Sequence, residues 1–292
     1  MHRTFDKILV PMDLSTTSIL ALDHALYLAK EFKSELHLLH VKETPTVNNF
    51  IHSIFRKKLK ETEIDTEFVS ARFQEYINDF QSKHGVTTIG KFLEGTVYIQ
   101  VLNYAKQISA GLICMGTHGS KGVDNFIGGS NTFRVVNQAK CPVLSVHANS
   151  GTKGIKDIVL PLDSSRDTRE KVDDAIYIAK QFNSTIHVVG VSTSGNDMIL
   201  NRLRMVAKQV ENYIKEDKIA TTFGFKTGKN LASISLEYAK EKEADLIIIM
   251  TEQESSAGFL AGPYSQQMIN ESDVPILSVR PKDRETEFVT PY

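Results

Sequence analysis

Lys7-Ile8-Leu9-Val10-Pro11-Met12-Asp13 opens a stretch to Val41 that returns without a gap as Asp157-Ile158-Val159-Leu160-Pro161-Leu162-Asp163, running to Val191. Thirteen of the 35 paired positions are identical, among them Ile8/Ile158, Pro11/Pro161, Asp13/Asp163, Ala25/Ala175, Tyr27/Tyr177, Phe32/Phe182, His37/His187 and Val41/Val191. The ends of the copies agree too: Cys141-Pro142-Val143-Leu144-Ser145-Val146 against Val274-Pro275-Ile276-Leu277-Ser278-Val279. The chain of 292 residues is therefore a tandem repeat of two units, each of ordinary domain size. Each is long enough to bury its own core, unlike the short repeats of solenoids. The polar joint His147-Ala148-Asn149-Ser150-Gly151-Thr152-Lys153-Gly154 separates them. The expected domains are residues 1–148 and 153–282, with a polar tail over 283–292.

Within the first unit, apolar runs of strand length alternate with helix-spaced ones. Lys7–Met12, Glu35–Val41, Thr87–Leu93, Leu112–Met115 and Val143–Val146 read as strands. Ser15–Phe32, roughly Asn48–His84, Val97–Ile108 and Thr132–Gln138 read as helices, the first behind a Ser/Thr cap. Such alternation predicts an α/β fold with a parallel sheet covered on both faces. Right-handed crossovers make each unit doubly wound. Ligands of such sheets sit outside the carboxyl ends of the strands, where the strand order reverses.

Apolar content of 41% and charged content of 24% suit a chain that buries a core, and a net charge of −1 provides no field to hold nucleic acid or acidic lipid. No apolar run approaches the roughly 20 residues of a membrane span, and the N-terminus enters a strand pattern without a signal-peptide core. Cys114 and Cys141 fall in predicted strands without CxxC spacing, which fits buried thiols in a reducing cytoplasm.

At the predicted ligand edge, residues 115–132 read Met-Gly-Thr-His-Gly-Ser-Lys-Gly-Val-Asp-Asn-Phe-Ile-Gly-Gly-Ser-Asn-Thr. Gly116, Gly119, Gly129 and Ser130 would let main-chain N–H groups approach a phosphate at a helix N-terminus. The same edge collects Pro11, Met12 and Asp13 from the first strand and Val41 from the second. Asp13 suits ribose hydroxyls, Val41 and Met115 offer apolar surface to a base, and Ser130, Asn131 and Thr132 offer donors to phosphates. Simpler readings stand beside these: glycines serving a turn, Asp13 capping the next helix, and His118 facing solvent. His37 and His187 occupy equivalent strand positions, which points to structure. The mixed-sign run after Arg56-Lys57-Lys58 reads as a solvated helix face.

These motifs together resemble a tandem universal stress protein. The spacing Gly116-x2-Gly119-x9-Gly129-Ser130 is similar to that family's ATP-binding signature. The first, fourth and fifth strand segments resemble its usual strands, and the likeness covers nearly the whole chain. The resemblance implies two doubly wound domains, each a five-stranded parallel sheet of order 3-2-1-4-5. It implies ATP, AMP or ADP in the first, with or without Mg. It places Asp13 on ribose, Val41 and Pro11 near adenine, and Gly119, Gly129, Ser130, Asn131 and Thr132 on phosphates. Met12, Met115, Gly116 and His118 complete the expected lining. It also implies an internal pseudo-dimer pairing Val143–Val146 with Ile276–Val279, and a homodimer is a further arrangement of the same kind.

The chain departs from the pattern in places. Gly111 stands where an acid is usual, as at Asp245 in the second unit, and Ser120-Lys121 where an arginine is frequent. The second unit keeps Asp163 and Gly262, but Pro263 replaces the serine, and Glu252 and Glu254 stand in its loop. Like charges about 4 Å apart repel by roughly 4 kcal/mol at an effective dielectric near 20, so no triphosphate is expected there. The working expectation is a nucleotide-binding regulator or binding module of the stress response. A slow ATPase or phosphotransferase and a ligand-free scaffold are the alternatives; there is no Walker lysine–serine pair.

Overall fold

Ile8, Leu9 and Val10 are all buried in the strand Lys7–Pro11, as a continuous β-branched and apolar run requires when helices cover both faces. This strand, β1, lies at the centre of the first half in a computed structural model that describes residues 4–43, 66–117, 131–151, 154–165, 167–251 and 263–281. Helix α1 (Thr16–Phe32) follows, with the Ser15 hydroxyl accepting the Ser18 N–H (3.2 Å) at its start and Lys33 in the left-handed region at its end. Then come β2 (Glu35–Lys42), α2 (Thr66–His84), β3 (Thr88–Glu94), α3 (Val97–Ile108), β4 (Leu112–Gly116), α4 (Asn131–Gln138) and β5 (Val143–Val146). The second half repeats the series as β6 (Asp157–Leu162), α5 (Val172–Phe182), β7 (Thr185–Ser192), α6 (Asp197–Glu216), β8 (Thr221–Thr227), α7 (Leu231–Glu241), β9 (Leu246–Met250), α8 (Pro263–Glu271) and β10 (Ile276–Val279).

The expected α/β architecture is present, with one correction. The halves do not carry two separate sheets; the strands form one ten-stranded sheet of order β3-β2-β1-β4-β5-β10-β9-β6-β7-β8. Every neighbour pairs in parallel except β5 and β10, which run antiparallel with Leu144 opposite Leu277. The physical reason lies at the two short edges, where four buried residues each would otherwise leave main-chain groups unpaired. Alternation sorts the core into two layers. Ile8, Val10, Met12, Leu36, Leu38 and Cys114 share one layer with α1 and α2. Leu9, Leu39, Ile113 and Met115 share the other with α3 and α4, and Val41 packs against it.

The contact between α1 and α5 carries the repeat symmetry. Tyr27 stacks on Phe182 at 5.3 Å, and its counterpart Tyr177 stacks on Phe32 at 5.1 Å. Phe32 meets Phe182 edge-on at 5.6 Å. Burial raises the pKa of both tyrosines, and the main chains of Ile155 beside Tyr27 and of Phe5, the equivalent residue, beside Tyr177 oppose the rise. Gly111 is explained here as well: the Thr4 carbonyl passes where its Cβ would stand. Asp245, at the matching place, instead accepts the Lys156 and Asp157 N–H groups at 2.7 and 3.0 Å. The predicted structural role of His37 and His187 is seen in their bonds: His37 joins Glu35 (2.6 Å) to Tyr104 (3.0 Å), and His187 joins Asp157 (2.8 Å) to Thr222 (2.7 Å).

Truncating Phe32 to alanine removes two inter-half ring contacts and is expected to cost about 2–4 kcal/mol in denaturant unfolding of the full chain. His24 on α1 also faces this seam. Burial lowers its pKa to about 4, opposed by a main-chain hydrogen bond with Ser150. The folded state therefore binds this proton more weakly than the unfolded chain, so the stability is complete above pH 6.5 and falls as pH drops toward 4. The loss amounts to about 3 kcal/mol, and acid melts of His24→Phe should lack that component.

Candidate functional site

The carboxyl ends of β1, β2 and β4 meet where the strand order reverses between β1 and β4. Pro11 ends β1, partly exposed; Met12 follows, buried, its N–H bonded to the Leu39 carbonyl (2.8 Å) and its own carbonyl receiving the His40 Nδ1–H (2.8 Å). The Met12 side chain lies in the α1/α2 layer, so only its main chain faces the edge. Asp13 is exposed and its Oδ1 accepts the Ser15 N–H at 3.0 Å. Asp163 makes the same bond to Ser165 at 2.9 Å, so this turn-capping role is common to both halves. Between them stands Leu14, 58% exposed and left-handed at φ 61°, a strained conformation for a bulky residue. Among the described residues the second half has no left-handed residue at the matching place.

Gly116 decides the geometry. A Cβ there would lie 2.7 Å from the Thr17 Cβ and carbonyl carbon, so the bare glycine lets the first turn of α1 lie directly on the end of β4. The Gly116 carbonyl accepts the Thr132 hydroxyl at 2.6 Å, which draws the start of α4 to the same point. The Thr132 proton is thereby spent on main chain. Val41 is partly buried and Met115 buried, both on the α3/α4 side of the sheet with Leu39 and Ile113. Asn131 is partly exposed at the first position of α4. The structure thus brings Pro11, Met12, Asp13, Val41, Met115, Gly116, Asn131 and Thr132 to one edge. His118, Gly119, Gly129 and Ser130 lie outside the described residues, as do Glu252, Glu254 and the tail.

Three helices, α1, α3 and α4, begin at this edge, and none has an acid in its first turn. Their positive dipole ends are therefore uncompensated by side chains in those turns, a setting that favours an anion. Gly95, at φ 135°, sits just ahead of α3, and its N–H bonds the Lys42 carbonyl at 3.0 Å. Arg134 on α4 lies over the Tyr98 ring of α3 at 4.9 Å and adds a cation at the helix starts.

The second half is built differently at each of these points. The matching N–H bonds, Thr117 to Val146 and Thr251 to Val279, show that Met250 occupies the register of Gly116. A full side chain now stands where α1 made its approach. Helix α5 begins at Val172, whereas the position matching Thr16 is 166, six residues earlier. The first turn of α5 carries Asp173 and Asp174. In the space ahead of it Lys171 is buried, its Nζ donating to the Thr168 carbonyl (2.9 Å) and hydroxyl (3.5 Å). Burial pulls this ammonium down to about 8, and the nearby Asp163 carboxylate partly offsets the fall. Sequence reasoning missed Lys171, Leu14 and the Gly116–Thr17 contact. The repeat alignment carried a signal for the first, because Lys171 pairs with Ala21, an apolar core position.

The universal stress protein family model matches residues 4–147 and again 154–280. A universal stress protein of Methanocaldococcus jannaschii is 31% identical over 145 residues, covering 49% of this chain and 82% of that protein. One of Bacillus subtilis is 30% identical over 149 residues, covering 49% of this chain and 99% of its own. Among solved structures, a universal stress protein from Archaeoglobus fulgidus superposes with a TM-score of 0.71 at 19% identity, over 94% of this chain and 98% of that one; at this identity the likeness is one of fold. No helix among the described residues is long and apolar enough to cross a membrane. The repeated strand-end motifs, the reversal point they share and the double match together make this chain a tandem member of the universal stress protein family.

Proposed function

We propose that the first half holds one adenine nucleotide, ATP, AMP or ADP, with or without Mg, and that the protein works as a nucleotide-binding regulator or binding module of the stress response in the cytoplasm. The observation that carries this reading is the bare Gly116 against Thr17, which gathers the starts of α1 and α4 at the switch point. Asp13 takes the ribose. Pro11, Val41 and Met115 give apolar surface to the base. Asn131, the Thr132 main chain and the loop residues His118, Gly119, Gly129 and Ser130 take the phosphates. Residues 1–148 and 153–282 act as domains with different duties, the second holding no triphosphate. Its Met250, Asp173 and Asp174 support that division, as they remove the approach and neutralise the helix start.

Native mass spectrometry of the purified chain should find one adenine nucleotide per chain. ATP at a hundred times its Kd should stabilise the fold by about 2.7 kcal/mol in thermal melts. Asp13→Ala should weaken binding by about tenfold, the loss of a hydrogen bond to a charged group, while Asp163→Ala leaves it unchanged. A chain that gains no stability from any adenine nucleotide would overturn the reading.

In the second half, Lys171→Met should remove the burden of a buried ammonium and raise stability at pH 7 by about 2–3 kcal/mol. Because the folded pKa of Lys171 is depressed, wild-type stability should rise with pH from about 8 toward 10.5. Urea unfolding across that range should show the rise in wild type and a flatter curve in Lys171→Met.

A further inference from the structure

Of the methionines among the described residues, Met12, Met115, Met250 and Met268 are buried in the two core layers. Met198 and Met205 are the opposite case. They are 80% and 61% exposed, more than any other large apolar side chain among the described residues. Both stand on α6, which buries the stripe Leu203, Ala207, Val210 and Ile214. Two turns apart, the two methionines share the outward face of that helix.

Arg202 stands between them, one helical turn after Met198 and one before Met205, and helix geometry makes it the surface neighbour of both. Its side chain is exposed and makes no hydrogen bond or ion pair among the described residues. The other arginine of this stretch is occupied: Arg204 bonds the Asn201 side chain at 3.0 Å and covers the Phe225 ring at 4.8 Å. The main chain at Met198 is held independently of its side chain, because Asn196 Oδ1 accepts the Met198 and Ile199 N–H groups at 2.9 and 3.4 Å. A chemical change at either sulfur therefore leaves the helix cap and the buried stripe intact.

We propose that Met198 and Met205 form a paired, reversible oxidation site that takes hydrogen peroxide, with Arg202 holding the product. The thioether sulfur attacks one peroxide oxygen, so that an S–O bond forms as the O–O bond breaks. Sulfur gives up two electrons, and the proton on the transferred oxygen passes to the departing hydroxide, which leaves as water. A thioether is a weak acceptor, whereas the polar S–O group of the sulfoxide offers its oxygen to the charged donors of the guanidinium. A dithiol reverses the step: two thiols become a disulfide, and the oxygen leaves as water. Oxidation thereby turns an apolar helix face polar while the fold persists. None of this depends on nucleotide binding in the first half.

The test treats the full-length chain with hydrogen peroxide and follows each methionine by peptide mass spectrometry. Met198 and Met205 should gain one oxygen at least about tenfold faster than Met12, Met115, Met250 and Met268. The oxidised chain should keep its cooperative thermal melt, and methionine sulfoxide reductases with dithiothreitol should remove both oxygens. In proton–nitrogen spectra the Arg202 Nε–H should shift and exchange more slowly with water after oxidation. Neither change should occur in the double variant Met198→Leu, Met205→Leu. Three results would overturn the proposal: buried methionines that oxidise as fast as the exposed pair, loss of the melt on oxidation, or an Arg202 signal that oxidation leaves unmoved. The wild-type measurements decide these even if the double variant fails to fold.

Discussion

Two four-residue strands, β5 and β10, hold the molecule in one piece. Each is buried on both faces and each would be an open sheet edge in a lone half. Their antiparallel pairing turns two five-strand runs into one sheet and brings the same faces of α1 and α5 together. Everything distinctive at the seam follows from this. The paired aromatic stacks exist only because two copies of one unit meet about a shared edge.

Duplication supplies symmetry, and a few substitutions remove it where chemistry differs. At the strand ends the switch is steric first and electrostatic second. A glycine admits the helix start in one half, and a methionine in the same register accompanies a helix that begins later in the other. Once the helix start withdraws, its surroundings are filled by an internal ammonium and by acids that compensate its dipole. In the first half no acid stands in the first turns of α1, α3 and α4.

The pattern of elements was largely legible. Val97–Ile108 and Val143–Val146 were read with their observed bounds, because apolar spacing and flanking turn residues agree there. The described part of the segment after β2 is a helix as expected, beginning at Thr66. The site was legible in its residue types and less so in their roles. Met12 turns its side chain into the core, since alternation in β1 places it with Ile8 and Val10. Thr132 gives its proton to a carbonyl sixteen residues away, a partner no local pattern names.

By itself the sequence determined the repeat, the alternation of strands and helices, and the difference between the glycine loop and its acidic counterpart, because these rest on local spacing and on residue chemistry. Only the tertiary structure decided that Met250 answers to Gly116 and that His24 and Lys171 are buried. Those facts depend on strand register and on contacts between residues far apart in the chain, and main-chain hydrogen bonding, which every residue type supplies alike, leaves no mark in the order of side chains.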